Sequence, residues 1–279
     1  MRITLIGPGR AGLSIAYAAK KAGHEIVTVV ARRPEAARRA AEKLGATASV
    51  LDRQLEASDL WIVATRDDAI LSAAESLAQR LDEGTEAPDM AIHLSGLSSI
   101  ETLAPLRGFG ISIGSVHPLQ TMPNPEIGQE RLRGAWFGIT AEPELYDRLA
   151  EFVESLGGRP FSIVDSAKPT YHAAAAAAAN FTLVNLIVAQ DLLDAVDIPI
   201  EVLGPLMEAI VANALEIGPR AALTGPVARG DVDTVAAQIA AVADHAPAML
   251  GIFVSNVASL AKIAGRWDQF ADLVAEHTS

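Results

Sequence analysis

The chain has 279 residues, of which half are hydrophobic and 20% are charged, and its net charge is -12 at pH 7. This length and composition predict a well-packed globular protein of two domains and exclude intrinsic disorder. Because cysteine is absent and basic residues form no long run, we expect no disulfide, no thiolate metal site and no nucleic-acid partner, and a reducing, cytoplasmic location.

The first half of the chain alternates short β-branched runs with alanine-rich stretches of helical spacing, which is typical of βαβ units and a parallel sheet. Strands are predicted at residues 3–6, 25–31, 60–64, 91–94, 112–115, 136–140 and 160–164. Helices are predicted at residues 12–22, 34–44, 69–81 and 143–156. The run 3–6 passes straight into Gly7 and Pro8, so it predicts a strand and not a signal peptide. We therefore expect a doubly wound, Rossmann-type α/β domain over residues 1–164.

After Asp165 the strand pattern stops, and residues 165–279 are predicted to form a separate, all-helical domain. Its helices are expected at residues 167–193, 199–217, 232–244 and 247–276. The stretch 171–193 is apolar, but polar side chains that are costly in hydrocarbon recur through it. These are His172, Asn180, Asn185, Gln190 and Asp191. We therefore predict a buried helix and no contact with a membrane.

The first helix is preceded by the run Gly7-Pro8-Gly9-Arg10-Ala11-Gly12, which matches the pattern G-x-G-x-x-G. In this pattern the glycines permit a tight turn, close approach of the backbone to a pyrophosphate, and close helix packing. The run follows an apolar strand, opens a helix and precedes a second strand, which is the context that the motif requires. It therefore predicts a dinucleotide site in which free amides at the helix N-terminus hold the phosphates.

The second predicted strand ends in Ala31-Arg32-Arg33-Pro34, where an acidic residue is typical of sites that prefer NAD. Cationic residues at this position favour the 2′-phosphate of NADP(H), so Arg32 and Arg33 are predicted to select NADP(H). Arg10 is a candidate third cation near the phosphates. The alternative is that Arg32 and Arg33 are only solvated residues at a helix start.

The third long apolar strand ends in Ala64 and Thr65, at the edge of the sheet where ligands lie in open α/β folds. Ala64, Thr65 and Asp67 are therefore predicted to line the cofactor site. Asp67 or Asp68 could equally cap the helix that begins near residue 69, and the two roles are compatible.

Two further strand ends carry groups that could serve the reduction of a carbonyl or an imine, which needs a donor for the developing anion. Ser95 follows one strand and His117 follows another, at the same sheet edge as the glycine turn, so both are candidates to face the nicotinamide. His93 lies within its strand and is better explained as a hydrogen-bonded core residue.

The first long helix of the second half carries Lys168, His172, Ala176 and Asn180 at intervals of four residues, which places them along one face. If this face closes over the nicotinamide, His172 could donate a proton and Asn180 could hold the substrate oxygen, with Lys168 in the same site. The alternative is a hydrogen-bonding stripe at a contact between subunits.

The loop at residues 223–231 contains two glycines, a proline, an arginine and an aspartate. Thr224, Gly225, Arg229 and Asp231 could clamp a substrate carboxylate through the guanidinium and backbone amides. Asp231 is also a candidate helix cap. The six histidines are dispersed and neither H-E-x-x-H nor G-x-S-x-G occurs, so neither a metal site nor a serine hydrolase is indicated.

The segments GPGRAG, HLSG, SVHPLQTM, YHAAAAAAAN and LTGPVARGD together resemble a bacterial family of Rossmann-like proteins with a C-terminal helical domain of unknown function. The chain is more distantly similar to pyrroline-5-carboxylate reductase, ketopantoate reductase and the 6-phosphogluconate dehydrogenase-like group. The resemblance implies an NAD(P)H-dependent enzyme whose helical domain forms a homodimer and whose substrate lies between the domains. It makes His117, His172, Asn180 and the loop from Thr224 to Asp231 the substrate-side residues.

One departure from those relatives concerns the Lys-x-x-x-Asn helix of the hydroxyacid dehydrogenases, because His172 stands here in the asparagine position after Lys168. The resulting hypothesis is a homodimeric NADPH-dependent reductase of a small 2-oxo acid, with ketopantoate, a precursor in pantothenate biosynthesis, as the named candidate. A cyclic imino acid is the nearest alternative substrate. A non-catalytic NADP(H)-binding redox sensor is an alternative of another class, and a deazaflavin hydride donor is compatible with the sequence.

Overall fold

The computed structural model describes residues 1–51 and 53–278. It contains two compact units, Met1–Ala177 and Ala178–Ser279. The division falls inside a helix and not near residue 164, where the change of sequence pattern had suggested a boundary. The first turns of that helix belong to the first unit because they contact the sheet, as described below.

The first unit is built on a sheet of eight strands in the order β3-β2-β1-β4-β5-β6-β7-β8. All neighbouring strands are parallel except β6 and β7, which are antiparallel. The strands are β1 (Arg2–Ile6), β2 (Glu25–Val30), β3 (Thr47–Ser49), β4 (Leu60–Val63), β5 (Met90–His93), β6 (Ser112–Pro118), β7 (Trp136–Ala141) and β8 (Arg159–Ser162).

Helices connect these strands and cover the sheet. They are α1 (Arg10–Lys21), α2 (Pro34–Leu44), α3 (Ile70–Asp82), α4 (Pro125–Arg131) and α5 (Tyr146–Ser155), with 3₁₀ segments at Asp67–Ala69, Ile100–Phe109 and Asp165–Ala167. Every residue of β4 and β5 is buried, as expected for parallel strands that are covered on both faces. The carboxyl ends of β1, β2 and β4 meet where the strand order reverses direction, which is where open α/β sheets form a crevice.

The predicted doubly wound domain is confirmed, with strand and helix ends shifted by a few residues. Three elements were not predicted. The strand β3 has only three residues and is largely exposed, so it carries no apolar pattern. The 3₁₀ segment Ile100–Phe109 contains Pro105, and the short helix α4 begins after Asn124, whose side chain accepts a hydrogen bond from the Ile127 amide at 2.8 Å.

The second unit is helical, as predicted. Its helices are the later part of α6 (Lys168–Asp194), then α7 (Gly204–Ile217), α8 (Pro226–Arg229), α9 (Val232–His245), α10 (Leu250–Ile263) and α11 (Trp267–Ala275). The single helix expected at residues 247–276 is two helices, because Gly265 adopts a φ of 66° in the left-handed region and ends α10. The core of this unit contains Val235, Ile239, Val254 and Phe270, from α9, α10 and α11.

The prediction that the apolar stretch 171–193 forms a buried helix is wrong for the single chain. Phe181, Leu183 and Ile187 of α6 are each more than half exposed, and Leu206 of α7 is 63% exposed. Among the described residues, the core of the second unit is formed by α8 to α11 and contains none of these side chains. By length and composition the helix 165–194 could also cross a membrane, which is weak evidence because soluble helices pass the same test.

Candidate active site

The turn between β1 and α1 is packed too tightly to admit side chains at two of its glycines. Gly7 has a φ of 92°, and a Cβ atom there would lie 2.8 Å from the carbonyl of Ala64. A Cβ atom on Gly12 would lie 2.5 Å from the Gly7 oxygen and 2.8 Å from Cβ of Ala64. Gly9, in contrast, faces open space. The turn therefore rests on the end of β4, with its second glycine open to a ligand.

A cleft of about 660 Å³ opens at this turn, between the carboxyl ends of β1, β2 and β4. It is lined by seven of the predicted cofactor residues, namely Gly7, Pro8, Gly9, Arg32, Arg33, Ala64 and Thr65. The N-terminus of α1 has no side-chain cap, so its amides are available to an anion. The glycine cradle, the free helix terminus and the cleft beside them together fit the pyrophosphate and adenosine of a dinucleotide.

Three residues of the glycine motif do not line this cleft. Gly12 packs inside the turn, and Arg10 points elsewhere, with Nη1 lying 3.5 Å from the Pro123 carbonyl oxygen. Ala11 is partly buried against the core of the first unit. The third arginine of the cleft is instead Arg66, which the sequence analysis did not single out.

Arg32 and Arg33 are exposed at the cleft, and neither side chain forms a hydrogen bond or ion pair with any residue that the structure describes. Arg33 occupies the N-cap position of α2 through its backbone, and Pro34 follows at the first helical position. Both guanidinium groups are therefore solvated cations, as the alternative interpretation held, but they are solvated at the edge of the nucleotide cleft.

Neither aspartate after β4 caps a helix, so that alternative is wrong. The N-cap positions are occupied by Arg66 and Ala69, with no side-chain hydrogen bond at either. Asp67 accepts a hydrogen bond from the Ser95 hydroxyl at 2.8 Å and is not among the residues that line the cleft. Asp68 lines the cleft and pairs with Arg66. The two carboxylates thus face different parts of the sheet edge.

Ser95 is buried, and its hydroxyl is fully used within the chain. It donates to Asp67 and accepts hydrogen bonds from the amides of Leu97 at 3.1 Å and Ser98 at 2.9 Å. A hydroxyl has one donor and two acceptor positions, so none remains for a substrate. Ser95 therefore shapes the loop after β5 and orients Asp67.

His93 is a core histidine, as predicted. It is fully buried, its Nδ1 accepts from the Ser95 amide at 3.2 Å, and its Nε2 lies 3.3 Å from the Ser99 carbonyl oxygen. These partners define a neutral ring with the proton on Nε2. Burial, assisted by the charge of Lys168, lowers the pKa of His93 to about 4.

His117 and Tyr171 form a hydrogen-bonded pair, with His117 Nδ1 2.8 Å from Tyr171 Oη. Burial lowers the pKa of His117 to about 4, and the charges of His172 and Lys168 act in the same direction. Burial also raises the pKa of Tyr171 to about 12. At neutral pH the imidazole is therefore uncharged and the phenol protonated. One hydrogen joins the two groups, and a second, on Oη or Nε2, is free for a ligand.

Lys168 is buried at the start of α6, where it donates two hydrogen bonds and forms one ion pair. Its Nζ lies 2.7 Å from the Ser98 carbonyl oxygen, 2.9 Å from Ser115 Oγ and 2.9 Å from Asp165 Oδ1. Burial lowers the pKa of Lys168, although Asp165 opposes the shift. Two of the three ammonium hydrogens are donated within the chain, and the charge is paired with the Asp165 carboxylate. Lys168 therefore fixes the first turn of α6 to the ends of β5 and β6.

Asp165 completes this network. Burial opposes its ionisation, but hydrogen bonds from Ser99 and Lys168 outweigh burial and lower the pKa of Asp165. Its Oδ2 accepts from the Ser99 hydroxyl at 2.5 Å and from the Ile100 amide at 3.2 Å. The loop after β5 is thereby held from both ends, by Asp67 and by Asp165.

The sequence analysis missed Tyr171 because it followed the residues four apart on this helix. Lys168 and Tyr171 are three apart, a spacing that equally places two side chains on one face. In the structure the helix face that carries Lys168 and Tyr171 is turned inward. Lys168 is buried, Tyr171 is half-buried and His172 is exposed. His172 still lies beside the pair, with its ring centroid 6.1 Å from that of His117, but among the described residues it has no hydrogen-bond partner.

The remaining predicted residues belong to the second unit. Asn180 is exposed and has no hydrogen-bond partner in the part of the chain that the structure describes. In the loop before α9, Arg229 Nη2 lies 2.8 Å from Asp231 Oδ2. Asp231 occupies the N-cap position of α9 without a capping bond, so the predicted cap is wrong because the carboxylate binds Arg229 instead. Thr224 and Gly225 precede α8 within this loop.

Two family matches divide the chain. Residues 2–85 match the family described as NADP oxidoreductase, coenzyme F420-dependent, and residues 135–258 match a domain of unknown function, DUF2520. The combination of a Rossmann-like domain with a C-terminal domain of unknown function is therefore as expected from the motifs. No match was found among curated proteins.

Solved structures resemble the whole chain. A Bacteroides fragilis protein provisionally named an NADP oxidoreductase has a TM-score of 0.79 at 25% identity, covering 94% of this chain and 98% of its own. A Thermotoga maritima protein has a TM-score of 0.74 at 22% identity, covering 94% and 99%. The Streptomyces aurantiacus imine reductase has a TM-score of 0.64 at 19% identity, covering 95% and 98%, and this likeness concerns the fold.

The position of His117 depends on the absence of a side chain at Gly96, which gives a first testable prediction. A Cβ atom on Gly96 would lie 2.7 to 2.8 Å from the imidazole of His117. We expect Gly96→Ala to push the ring away from Tyr171, to shift the pKa of His117 from about 4, and to destabilise the fold by about 1–3 kcal/mol. Histidine NMR titration and urea unfolding measure the two effects.

Gly108→Ala is the matched control, because a Cβ atom on Gly108 meets nothing within 4 Å. If the two variants are equally stable and the His117 titration is the same in both, Gly96 does not position the ring.

Proposed function

The chain is an NAD(P)-dependent oxidoreductase, and we propose that it uses NADPH to reduce a small 2-oxo acid, with ketopantoate as the first candidate. The observation that carries the proposal is the pair of His117 and Tyr171 at the same sheet edge as the glycine cradle. When bound, the nicotinamide supplies a hydride, and the protein must then provide a proton for the oxygen of the reduced carbonyl.

The preference for NADPH is supported by Arg32 and Arg33. Both line the cleft, and no described residue neutralises either guanidinium. No acidic residue stands at the end of β2 to accept hydrogen bonds from the ribose hydroxyls of NAD. A 2′-phosphate would gain two cationic partners there, whereas an unmodified ribose would gain none.

Tyr171 is the better proton donor of the pair, because a phenol is a stronger acid than a neutral imidazole. In this arrangement Nδ1–H of His117 donates to Tyr171 Oη and stabilises the phenolate as it forms. The carbonyl carbon receives the hydride with both electrons, the carbonyl oxygen takes the phenol proton, and Tyr171 regains a proton from water. We propose that His172, whose ring centroid lies 6.1 Å from that of His117, passes that proton.

On the substrate side, we propose contacts from His172, Asn180 and the loop with Thr224, Gly225, Arg229 and Asp231. Arg229 suits a carboxylate, and its present partner Asp231 is a half-exposed carboxylate that a substrate carboxylate could replace. Ser95 and Lys168 are assigned a different role, because their polar atoms are already bonded within the chain.

A cyclic imine is the second candidate substrate, supported by the fold shared with an imine reductase. The two chemistries differ in when the proton is needed. An imine is protonated before it accepts the hydride, so it needs no acid at that step, whereas a carbonyl does. The dependence of the rate on Tyr171 therefore distinguishes them. A non-catalytic NADP(H) sensor would bind the cofactor and consume none.

We further propose that the protein is a cytoplasmic homodimer formed through its helical unit. The support is the apolar surface on α6 and α7, where Phe181, Leu183, Leu206, Ile210 and Leu215 are each more than half exposed. Monomeric soluble proteins rarely expose so many large apolar side chains on two helices. The reducing interior of a cell suits a chain without cysteine.

The substrate assignment is tested by following NADPH consumption with ketopantoate, pyrroline-5-carboxylate and other small oxo acids, with reduced coenzyme F420 as an alternative hydride donor. We expect Tyr171→Phe to lower kcat for the oxo acid by about 100-fold or more, since a positioned general acid contributes ~10²–10⁴-fold. Tight NADPH binding without consumption on the whole panel would favour the sensor. An imine substrate with a Tyr171→Phe rate close to wild type would favour the second candidate.

The pH dependence follows from the two pKa values. His117 is neutral well above pH 4, and Tyr171 stays protonated well below pH 12, so neither group should titrate between about pH 6 and pH 10. We expect kcat/KM for the oxo acid to show no step from His117 in this range. A step near pH 6.5 in the wild type that is absent from His117→Asn would contradict the neutral imidazole.

The dimer is tested by light scattering after gel filtration. We expect a dimer for the wild type and a monomer for Leu206→Glu with Ile210→Glu, because each substitution places a charge on the apolar surface of α7. Leu71→Glu is the matched control, since Leu71 is 46% exposed on α3 of the first unit. A wild type that is monomeric at micromolar concentration, or that binds lipid vesicles through this surface, would refute the proposal.

A further inference from the structure

The nucleotide cleft contains a third arginine, Arg66, that differs from Arg32 and Arg33 in being paired. Arg66 follows β4, and both Arg66 and Asp68 line the cleft together with the two arginines that follow β2. Nε of Arg66 donates to Asp68 Oδ1 at 3.1 Å, and Nη2 contacts Asp68 Oδ2. Of the three arginines that line the cleft, Arg66 is paired with a carboxylate, whereas Arg32 and Arg33 have no anionic partner among the described residues.

The pair of Arg66 and Asp68 is weak enough to be exchanged for a ligand. The Arg66 side chain is 82% exposed and that of Asp68 is 63% exposed. An ion pair so open to solvent contributes little to folding, because water screens both charges and ordering two side chains costs entropy. Neither side chain forms a capping hydrogen bond with the helix that follows. The protein thus gains little stability from a cation that it holds at the cleft.

The geometry of the pair shows which kind of ligand would compete with Asp68. The carboxylate occupies the edge of the guanidinium that presents Nε and Nη2 side by side. A phosphate binds the same edge through two parallel hydrogen bonds, and carries more charge than a carboxylate. An adenine ring would instead stack on the flat face of the guanidinium and would leave the bonds to Asp68 intact.

We propose that Arg66 binds the 2′-phosphate of the cofactor together with Arg32 and Arg33, and that Asp68 competes with this phosphate for Arg66. Arg66 then adds to the selection of NADPH over NADH, and Asp68 limits how tightly NADPH is held. The inference rests on the proposed preference for NADPH and extends it to a pair of residues on another strand.

The test measures binding without turnover, using two ligands that differ only in the 2′-phosphate. These are adenosine 2′,5′-bisphosphate and adenosine 5′-monophosphate, titrated calorimetrically into the full chain. We expect Arg66→Gln to weaken the bisphosphate about tenfold while leaving the monophosphate unchanged, since one hydrogen-bonded charge pair is lost. We expect Asp68→Asn to strengthen the bisphosphate severalfold, and to have no such effect once Arg66 is also replaced.

The matched control is a second exposed Arg–Asp pair of the first unit that lies away from the cleft. Arg148 Nη2 lies 2.9 Å from Asp89 Oδ2, and both side chains are about half exposed or more. Arg148→Gln and Asp89→Asn change the net charge by the same amounts, so unchanged binding in these variants excludes a general effect of charge.

The outcomes distinguish the role of Arg66 from the proposed preference for NADPH on which it rests. If the wild type binds both ligands equally well, the preference for NADPH fails and the inference fails with it. If the wild type prefers the bisphosphate, and only replacement of Arg32 and Arg33 removes that preference, the role of Arg66 is wrong while the preference stands. Equal weakening of both ligands by Arg66→Gln would indicate stacking on adenine and would also overturn the proposal.

Discussion

The buried ammonium group of Lys168 is the constraint on which the arrangement of the candidate site depends. A charge removed from water must be compensated on all sides, and Lys168 finds its partners on three different segments. The Ser98 carbonyl follows β5, Ser115 lies in β6, and Asp165 precedes α6. Because one group must reach all three, the start of α6 is held at the carboxyl ends of the two strands. Tyr171, one turn further along, is thereby brought against His117.

The loop after β4 divides the sheet edge into two regions with different chemistry. Asp67 turns toward Ser95 and the network around Lys168, whereas Arg66 and Asp68 turn toward the nucleotide cleft. The first region is largely desolvated and holds His93 and His117 neutral. The second is open and cationic, which suits phosphates. One short segment therefore connects the part of the site suited to proton transfer with the part suited to nucleotide recognition.

Hydrogen-bond capacity separates the groups that can act on a substrate from those that hold the site together. Ser95 and Lys168 were both predicted to be catalytic candidates on the grounds of residue type and position. In the structure the Ser95 hydroxyl donates to Asp67, and the Lys168 ammonium donates to Ser98 and Ser115 and pairs with Asp165. Tyr171 and His117 share one hydrogen and keep another free. Ser95 and Lys168 are bonded within the chain and hold the loop and helix in place. Tyr171 and His117 together keep one hydrogen that a ligand could accept.

The sequence by itself determined those features that depend on neighbours along the chain. The alternation of strand and helix, the glycine turn and the pair Arg32 and Arg33 are local patterns, and each is found at the predicted place. The sequence could not choose between residues three and four apart on α6, because both spacings share a helix face. That choice depended on which face meets the sheet.

Only the tertiary structure decided the contacts between residues that are distant along the chain. His117 and Tyr171 are 54 positions apart, and Ser95 and Asp67 are 28 apart, so no local pattern relates them. The exposure of α6 was also undetermined, since an apolar helix has the same sequence whether its cover comes from its own chain or from outside it. Burial and pairing are properties of the assembled surfaces, and they brought together a pair, His117 and Tyr171, that composition and spacing had not related.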